Sequence, residues 1–169
     1  MTATPILQDA VTNGFYTSSI TLMTTELNAL ASGAGVISSV NGSSSNGKFS
    51  QTDSTNAVRA KAFFKHGGTW TPAVGATLLF WLVESDDGGT TFEAHGAPAS
   101  TTVAAMARPA DITIAFDNVA FSSGQLSRNC GADFKLPAGS YTVLCQNNAG
   151  QTMPSTGNVL YLLPTANAH

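Results

Sequence analysis

The sequence predicts an all-β fold, an antiparallel β-sandwich or jelly roll with an extended N-terminal arm and one short N-terminal helix. Three observations carry that expectation. Charged residues make up only 10% of the 169, against roughly 25% in an average soluble domain, and Ser, Thr, Asn, Gly and Ala take their place. Neutral polar residues of this kind suit strands and turns better than exposed helices, which carry Glu, Lys and Arg. Apolar residues also recur with period two in several short runs, and Gly, Pro and Asn punctuate those runs at close intervals. A chain of this length buries a core without disulfide staples, so a single domain over residues 21–169 is expected behind an arm over residues 1–20.

The arm has neither helical nor strand periodicity. After it, "TLMTTELNALASGAG" predicts a helix of about two turns. Thr24 is placed to cap it, Glu26 lies in its first turn, Leu27 and Leu30 form its apolar stripe, and Gly33 and Gly35 end it. "GVISSV" reads as a strand, followed by the polar loop "NGSSSNG". In "NAVRAKAFFKHGG", Val58, Ala60, Ala62 and Phe64 alternate with Arg59, Lys61 and Lys65, the pattern of a strand with one wet face. "ATLLFWLVES" is continuously apolar, as a central strand covered on both faces requires.

"DITIAFDNVAF", "DFKLPAGSYTVLCQNN" and "GNVLYLLP" complete a set of about eight to ten strands, the number and spacing of a two-sheet fold. The expected core is Phe64, Leu79, Trp81, Val83, Ile112, Ile114, Phe116, Val143, Val159 and Tyr161. A hairpin turning at Pro137-Ala138-Gly139-Ser140 would set Cys145 opposite about residue 132, one diagonal step from Cys130. Two cysteines outside any metal-knuckle spacing are expected to be reduced, partly buried thiols.

Composition also bounds function. The net charge is −3 and the seven basic residues are scattered, so no phosphate-neutralising stripe exists and nucleic acid is not an expected partner. No apolar run approaches the roughly 20 residues that span a bilayer. The start "MTATPILQDAVTNG" lacks the basic and apolar regions of a signal peptide, and export by that route is not expected. A surface so poor in charge is weakly defended against association, which points toward assembly.

One short motif invites an enzymatic reading. Ser85-Asp86-Asp87-Gly88-Gly89-Thr90-Thr91-Phe92 matches the pattern Ser-x-Asp-x-Gly-x-Thr-aromatic of the Asp-box hairpins of sialidases and other β-propellers. Propellers repeat a blade several times at periods of roughly 40–50 residues, and no second copy occurs here. Asp87-Gly88-Gly89 supplies what a tight turn needs, so the motif reads as a hairpin tip. Glu84, Asp86, Asp87 and Glu93 could offer oxygens to calcium, but their order is not that of an EF-hand. Adjacent carboxylates at a turn tip point apart, which removes the environment a glycosidase acid needs. His66 and His95 sit outside nucleophile or zinc patterns and are expected to face solvent. No catalytic, cofactor or metal residue is therefore assigned.

The interaction candidates are Trp70 in "GGTWTPAVG" and Ile6, Val11, Phe15 and Tyr16 in the arm. Trp70 and Tyr16 are the aromatics a glycan-binding sandwich would expose, whereas the alternative places Trp70 at a sheet edge or in a subunit contact. The arm could add a strand to the sheet edge of a neighbour, with Ile6, Val11 and Phe15 filling its pockets.

Three segments together, "TTELNALASGAG", "FWLVESDDGGTTFE" and "LPAGSYTVLCQNNAGQTMPSTGNVLYLLP", resemble a family of small structural proteins of tailed bacteriophages. The helix and the C-terminal piece cover about a quarter of the chain. The resemblance implies a compact, non-enzymatic subunit of the virion, most of all a decoration or cement protein on the capsid. Its partners would be copies of itself and other virion proteins such as the major capsid protein. A collar, tail or baseplate accessory and a host-surface glycan-binding adhesin are the alternative roles. A trimer is the simplest assembly for a jelly roll meeting quasi-threefold positions on a head. Cys130, Cys145 and the "NGSSSNG" loop depart from the family pattern.

Overall fold

The computed structural model describes residues 20–38, 49–51, 58–85, 105–117, 119–128, 134–136 and 139–165. Its strands are β1 (Ile20–Met23), β2 (Gly35–Ile37), β3 (Phe49–Gln51), β4 (Val58–Lys65), β5 (Thr77–Ser85), β6 (Ile112–Ala115), β7 (Leu126–Arg128), β8 (Phe134–Leu136), β9 (Gly139–Asn148) and β10 (Val159–Thr165). All pairings among them are antiparallel, in two sheets, so the all-β class expected from the sequence is the class observed. The first sheet runs β1-β10-β4, with β7 and β8 sharing the far side of β4. The second runs β2-β9-β5-β6, with β3 beside β2 on the same side of β9.

Each sheet is built from the same two ribbons. Phe63 pairs with Arg128 and Lys65 with Leu126 in the first sheet, and Thr77 pairs with Ala115 in the second. Between these points the antiparallel bonding continues. Trp70 and Phe121 exchange both backbone hydrogen bonds, at 3.1 and 2.7 Å, and Phe116 O accepts from Gly75 N at 3.0 Å. The chain thus leaves one sheet and enters the other still paired to the same partner. A second ribbon joins Ile20–Ile37 to residues 144–162: Ala29 N donates to Pro154 O at 3.0 Å, Met153 N to Leu30 O at 3.0 Å, and Asn147 N to Ala34 O at 3.0 Å.

Alternation along each strand then sends one set of side chains into a core shared by the two sheets. Leu22, Ala60, Ala62, Phe64, Leu160 and Leu162 come from the first sheet, and Leu78, Phe80, Leu82, Ile112, Ile114, Val143 and Cys145 from the second. Burying a side chain the size of Phe or Leu stabilises by about 1.5–3 kcal/mol, and Phe64, Phe80 and Phe116 are among the largest that are wholly enclosed.

The opposite face of the second sheet is apolar as well. Ile37, Trp81, Val83 and Leu144 form a separate cluster there, against which Met106 and Ala110 pack. The cover is fastened at the point where β6 stops pairing with β5. Leu82 N donates to Asp111 Oδ2 at 2.7 Å, and Arg108 Nη2 donates to Leu82 O at 2.7 Å, so two side chains continue the ladder that β6 abandons. Arg108 also grips both Asp111 oxygens at 2.8 and 2.9 Å, and its own carbonyl accepts from the Trp81 indole at 2.9 Å. The prediction that β5 is a central strand covered on both faces is met here.

Several finer expectations are corrected. The helix is a single 3-10 turn at Thr25–Leu27, and Thr24 makes no side-chain cap. Glu26 instead accepts from Thr24 N at 3.2 Å, and Ala29 turns the chain at a φ of 55° before Leu30 joins the ribbon. "TLM" belongs to β1, and β3 and β7 are strands the sequence pattern does not announce. β8 and β9 do not pair as the two arms of a hairpin: β8 pairs with β4 and β9 with β5, so the two strands belong to different sheets. Cys145 lies between Val36 and Phe80 with both neighbouring lanes filled, and it is a free, buried thiol. Cys130 lies outside the described residues.

Of the expected core, Leu79, Val159 and Tyr161 are only half-buried. "GNVLYLLP" is apolar at nearly every position, so period alone cannot choose a face. Register with β4 chooses it, placing Leu160 and Leu162 beside the inward Phe64 and Ala62, while Tyr161 stacks on Phe63 at 5.8 Å.

The ends of the two ribbons approach each other closely at Gly67. Its N–H donates to Asn158 Oδ1 at 3.1 Å, and a Cβ placed there would stand 2.6 Å from Gly157 C and 2.7 Å from Asn158 N. Those are backbone atoms of the other ribbon and cannot swing aside. Gly67→Ala is therefore expected to destabilise the domain by about 3 kcal/mol, read as a lower urea midpoint at unchanged slope. A midpoint equal to that of the unsubstituted chain would show that the ribbons separate at no cost.

Candidate functional site

The four connections that carry the ribbons from sheet to sheet, residues 24–34, 66–76, 116–125 and 149–158, form a cap over one end of the molecule. Backbone groups at a bend lose part of their ladder and must be satisfied otherwise. Three asparagines supply the substitutes. Asn158 Nδ2 donates to Pro154 O at 2.6 Å and Asn28 Oδ1 at 3.1 Å, while its Oδ1 takes the Gly67 N–H. Asn147 Nδ2 donates to Leu30 O at 2.8 Å and Gln151 O at 2.9 Å, and its Oδ1 accepts from Ala149 N at 2.9 Å. Asn28 Oδ1 accepts from Asn158 N at 3.3 Å. One amide thus ties three connections, and both Asn147 and Asn158 are buried.

Beneath the cap lies an aromatic box around His66. The imidazole stacks on Phe121 with ring centroids 4.0 Å apart and planes 3° apart. Phe64 meets it edge-on at 4.9 Å, Phe116 at 5.9 Å and Trp70 at 5.8 Å. Nε2 pairs with Ser127 Oγ at 2.8 Å. The expectation that His66 faces solvent is wrong: its ring fills the space where the β4 strand turns into the cap, and it is wholly buried. Trp70 is 4% exposed and belongs to the core. Its indole is therefore closed to a glycan or a partner in the folded chain, and the reading of Trp70 as a surface contact is corrected. Pairing with Phe121 at the end of the sheets accounts for its place in "GGTWTPAVG".

Three buried titratable groups could in principle do chemistry, and all three are driven toward their neutral forms. Burial pushes the Cys145 thiol well above its ordinary range. The Tyr141 phenol is raised by burial first, then by the nearby charges of Glu84 and Asp111. Burial lowers the His66 imidazole from 6.5 to about 4. A thiol held protonated is a weak nucleophile, and an imidazole that takes up a proton only near pH 4 is a weak base.

Among the described residues, no three His, Cys, Asp or Glu side chains gather as a cation site. Asp86, Asp87, Glu93 and His95 lie outside the described residues, as do Ile6, Val11, Phe15 and Tyr16, so neither the Asp-Gly-Gly turn nor the arm enters this site.

The outer surface of the cap is nearly free of charge, Glu26 and Asp117 being the only ionised residues in its four segments. Val74 is 73% exposed, Val119 56% and Leu126, at the start of β7, 52%. Ser122, Ser123, Thr152, Ser155 and Thr156 of the connections are exposed as well, and the exposed Lys65 pairs with Leu126 at their margin. The arrangement offers neutral hydrogen-bonding groups and apolar side chains on a surface held in place from beneath. Such a surface is suited to packing against protein.

The buried histidine gives stability a defined pH dependence. The unfolded chain takes up a proton near 6.5 and the folded one only near 4, so unfolding binds more protons between those values. Stability is therefore complete above pH 6.5 and falls on acidification to about pH 4, by on the order of 3 kcal/mol from this group. His66→Gln should flatten that part of the curve in chemical unfolding measured across the window. An equal decline in both proteins would place the proton elsewhere.

No protein-family model matches this chain, and no match was found among curated proteins or solved structures.

Proposed function

We propose that this chain is a non-enzymatic structural subunit of a tailed-bacteriophage virion, a decoration protein that packs on the capsid through protein contacts. The observation that carries the reading is the lane order of the two sheets. Taking β7 with β8 and β2 with β3, the lanes run β1-β10-β4-β7/β8 and β2/β3-β9-β5-β6. Two antiparallel ribbons bent together across the gap produce that order, and it supports reading the domain as an eight-stranded jelly roll, a sandwich architecture used by viral capsid and lectin domains.

The cap supports the same reading from its chemistry. A surface with few charges packs against a neighbour while stripping water from few ions, and one held by buried amides loses little freedom when it docks. The fold also suits lectins; of the two aromatics singled out for glycan binding, Trp70 is buried and Tyr16 lies outside the described residues. The head is favoured over collar, tail or baseplate by the resemblance alone.

Because β1 begins at Ile20, the arm is deleted cleanly by removing residues 1–19. The full chain is expected to sediment as a discrete homo-oligomer and to bind tailed-phage capsids at saturating, fixed stoichiometry. The truncated chain should keep its folded spectrum and lose the capsid. A full chain that stays monomeric at high concentration, ignores capsids and binds a glycan array would replace this reading with the adhesin.

A further inference from the structure

Among the described residues, two buried side-chain polar atoms have no hydrogen-bond partner, His66 Nδ1 and Trp70 Nε1. Both lie in the same aromatic box. A buried polar group left unpaired forfeits its hydration without compensation, so a pair of them side by side calls for a ligand that serves both. Their chemistry states what that ligand must be. The indole N–H can only donate, and an unprotonated imidazole nitrogen can only accept. The bridging molecule must accept one hydrogen bond and donate another, and it must be small. The two ring centroids are 5.8 Å apart with the planes tilted by 48°, so the two rings are immediate neighbours in the box.

We propose that His66 Nδ1 and Trp70 Nε1 form an internal site for a single structural water, which accepts from the indole and donates to the imidazole. The walls are Phe64, Phe116 and Phe121, which offer it no stronger partner. The site fixes the histidine as the neutral Nε2–H tautomer. The Nε2–H then donates to Ser127 Oγ at 2.8 Å, and the ring spans the box between a hydroxyl on β7 and the water beneath the cap. One rival arrangement uses the same atoms. Trp70 and Phe116 meet at 5.1 Å and 72°, so the indole N–H could instead lie on the face of the phenyl ring, leaving Nδ1 alone.

Nuclear magnetic resonance of the full chain, with histidine and tryptophan labelled with nitrogen-15, separates the two. At neutral pH, His66 is expected to show the Nε2-protonated pattern, with Nδ1 resonating far downfield as an unprotonated nitrogen. The Trp70 indole proton should cross-relax with a water that exchanges slowly with the bulk. Trp70→Phe removes the only donor to that water, and the slow water signal at His66 should be lost. An Nδ1-protonated His66 would overturn the proposal. A Trp70 indole proton shifted strongly upfield by a ring current, without a water signal, would overturn it equally, and both readouts come from the unsubstituted protein.

Discussion

The amide of Asn158 sits where two constraints meet. An antiparallel ribbon that passes from one sheet to another must bend, and a bend pulls backbone N–H and C=O groups out of their ladder while the core beneath still excludes water. Asn158 answers with donors to Pro154 O and Asn28 Oδ1 and an acceptor for Gly67 N. Asn147 does the same for Leu30 O and Gln151 O on the neighbouring bend. Each such bond nets about 1 kcal/mol, but a bond removed from one side leaves a buried orphan that costs about 1–3 kcal/mol. The pairing of the connections with one another, and the enclosure of His66 and Trp70 beneath them, go with these bends being held.

Edges follow from the same wiring. The interior lanes are long, β4, β5, β9 and β10 having eight, nine, ten and seven residues. The outer lanes are β1 and β6 with four residues each and β2, β3, β7 and β8 with three. Short edge strands are one way of blunting an edge, and β6, with described residues on both sides, stops after four residues. On β5, where an open edge would otherwise continue past β6, the Arg108 and Asp111 side chains occupy the ladder positions of Leu82.

What the sequence makes legible divides along physical lines. Strands with one wet face, such as β4, declare their inward residues through period two, and Ala60, Ala62 and Phe64 are buried as read. Strands apolar on both faces do not. In β5 the pattern cannot separate Phe80 and Leu82, which face the first sheet, from Trp81 and Val83, which lie under the 105–111 segment. Long-range pairing is invisible to local signals for the same reason: Pro137-Ala138-Gly139-Ser140 has the residues of a hairpin turn, yet β8 and β9 belong to different sheets.

The cap was the least legible part. Asn28 falls in the predicted helix and Asn147 and Asn158 in strand segments, while His66 reads as solvent-facing and Trp70 as an exposed aromatic or a sheet-edge residue, both near glycines. Those glycines were the available clue. At Gly67 there is no room for a Cβ because another backbone lies against it, and a residue beside such a contact is inside.

The scarcity of charge then has a structural address. The ionised residues lie overwhelmingly outside the four connections, which hold only Glu26 and Asp117. Charge cannot be spared from a surface merely because the sheets beneath are apolar; solvent would accept lysine or glutamate at Ser123, Thr152 or Thr156, all exposed. A neutral cap with Val74, Val119 and Leu126 outermost is a costly surface for a monomer, since it lowers the barrier to association. It becomes an advantage once the partner is equally poor in charge, because few ions must be desolvated and few repel a symmetry mate. The proposed packing role explains that choice of residues, and it does so through a region whose backbone is held by buried amides before any partner arrives.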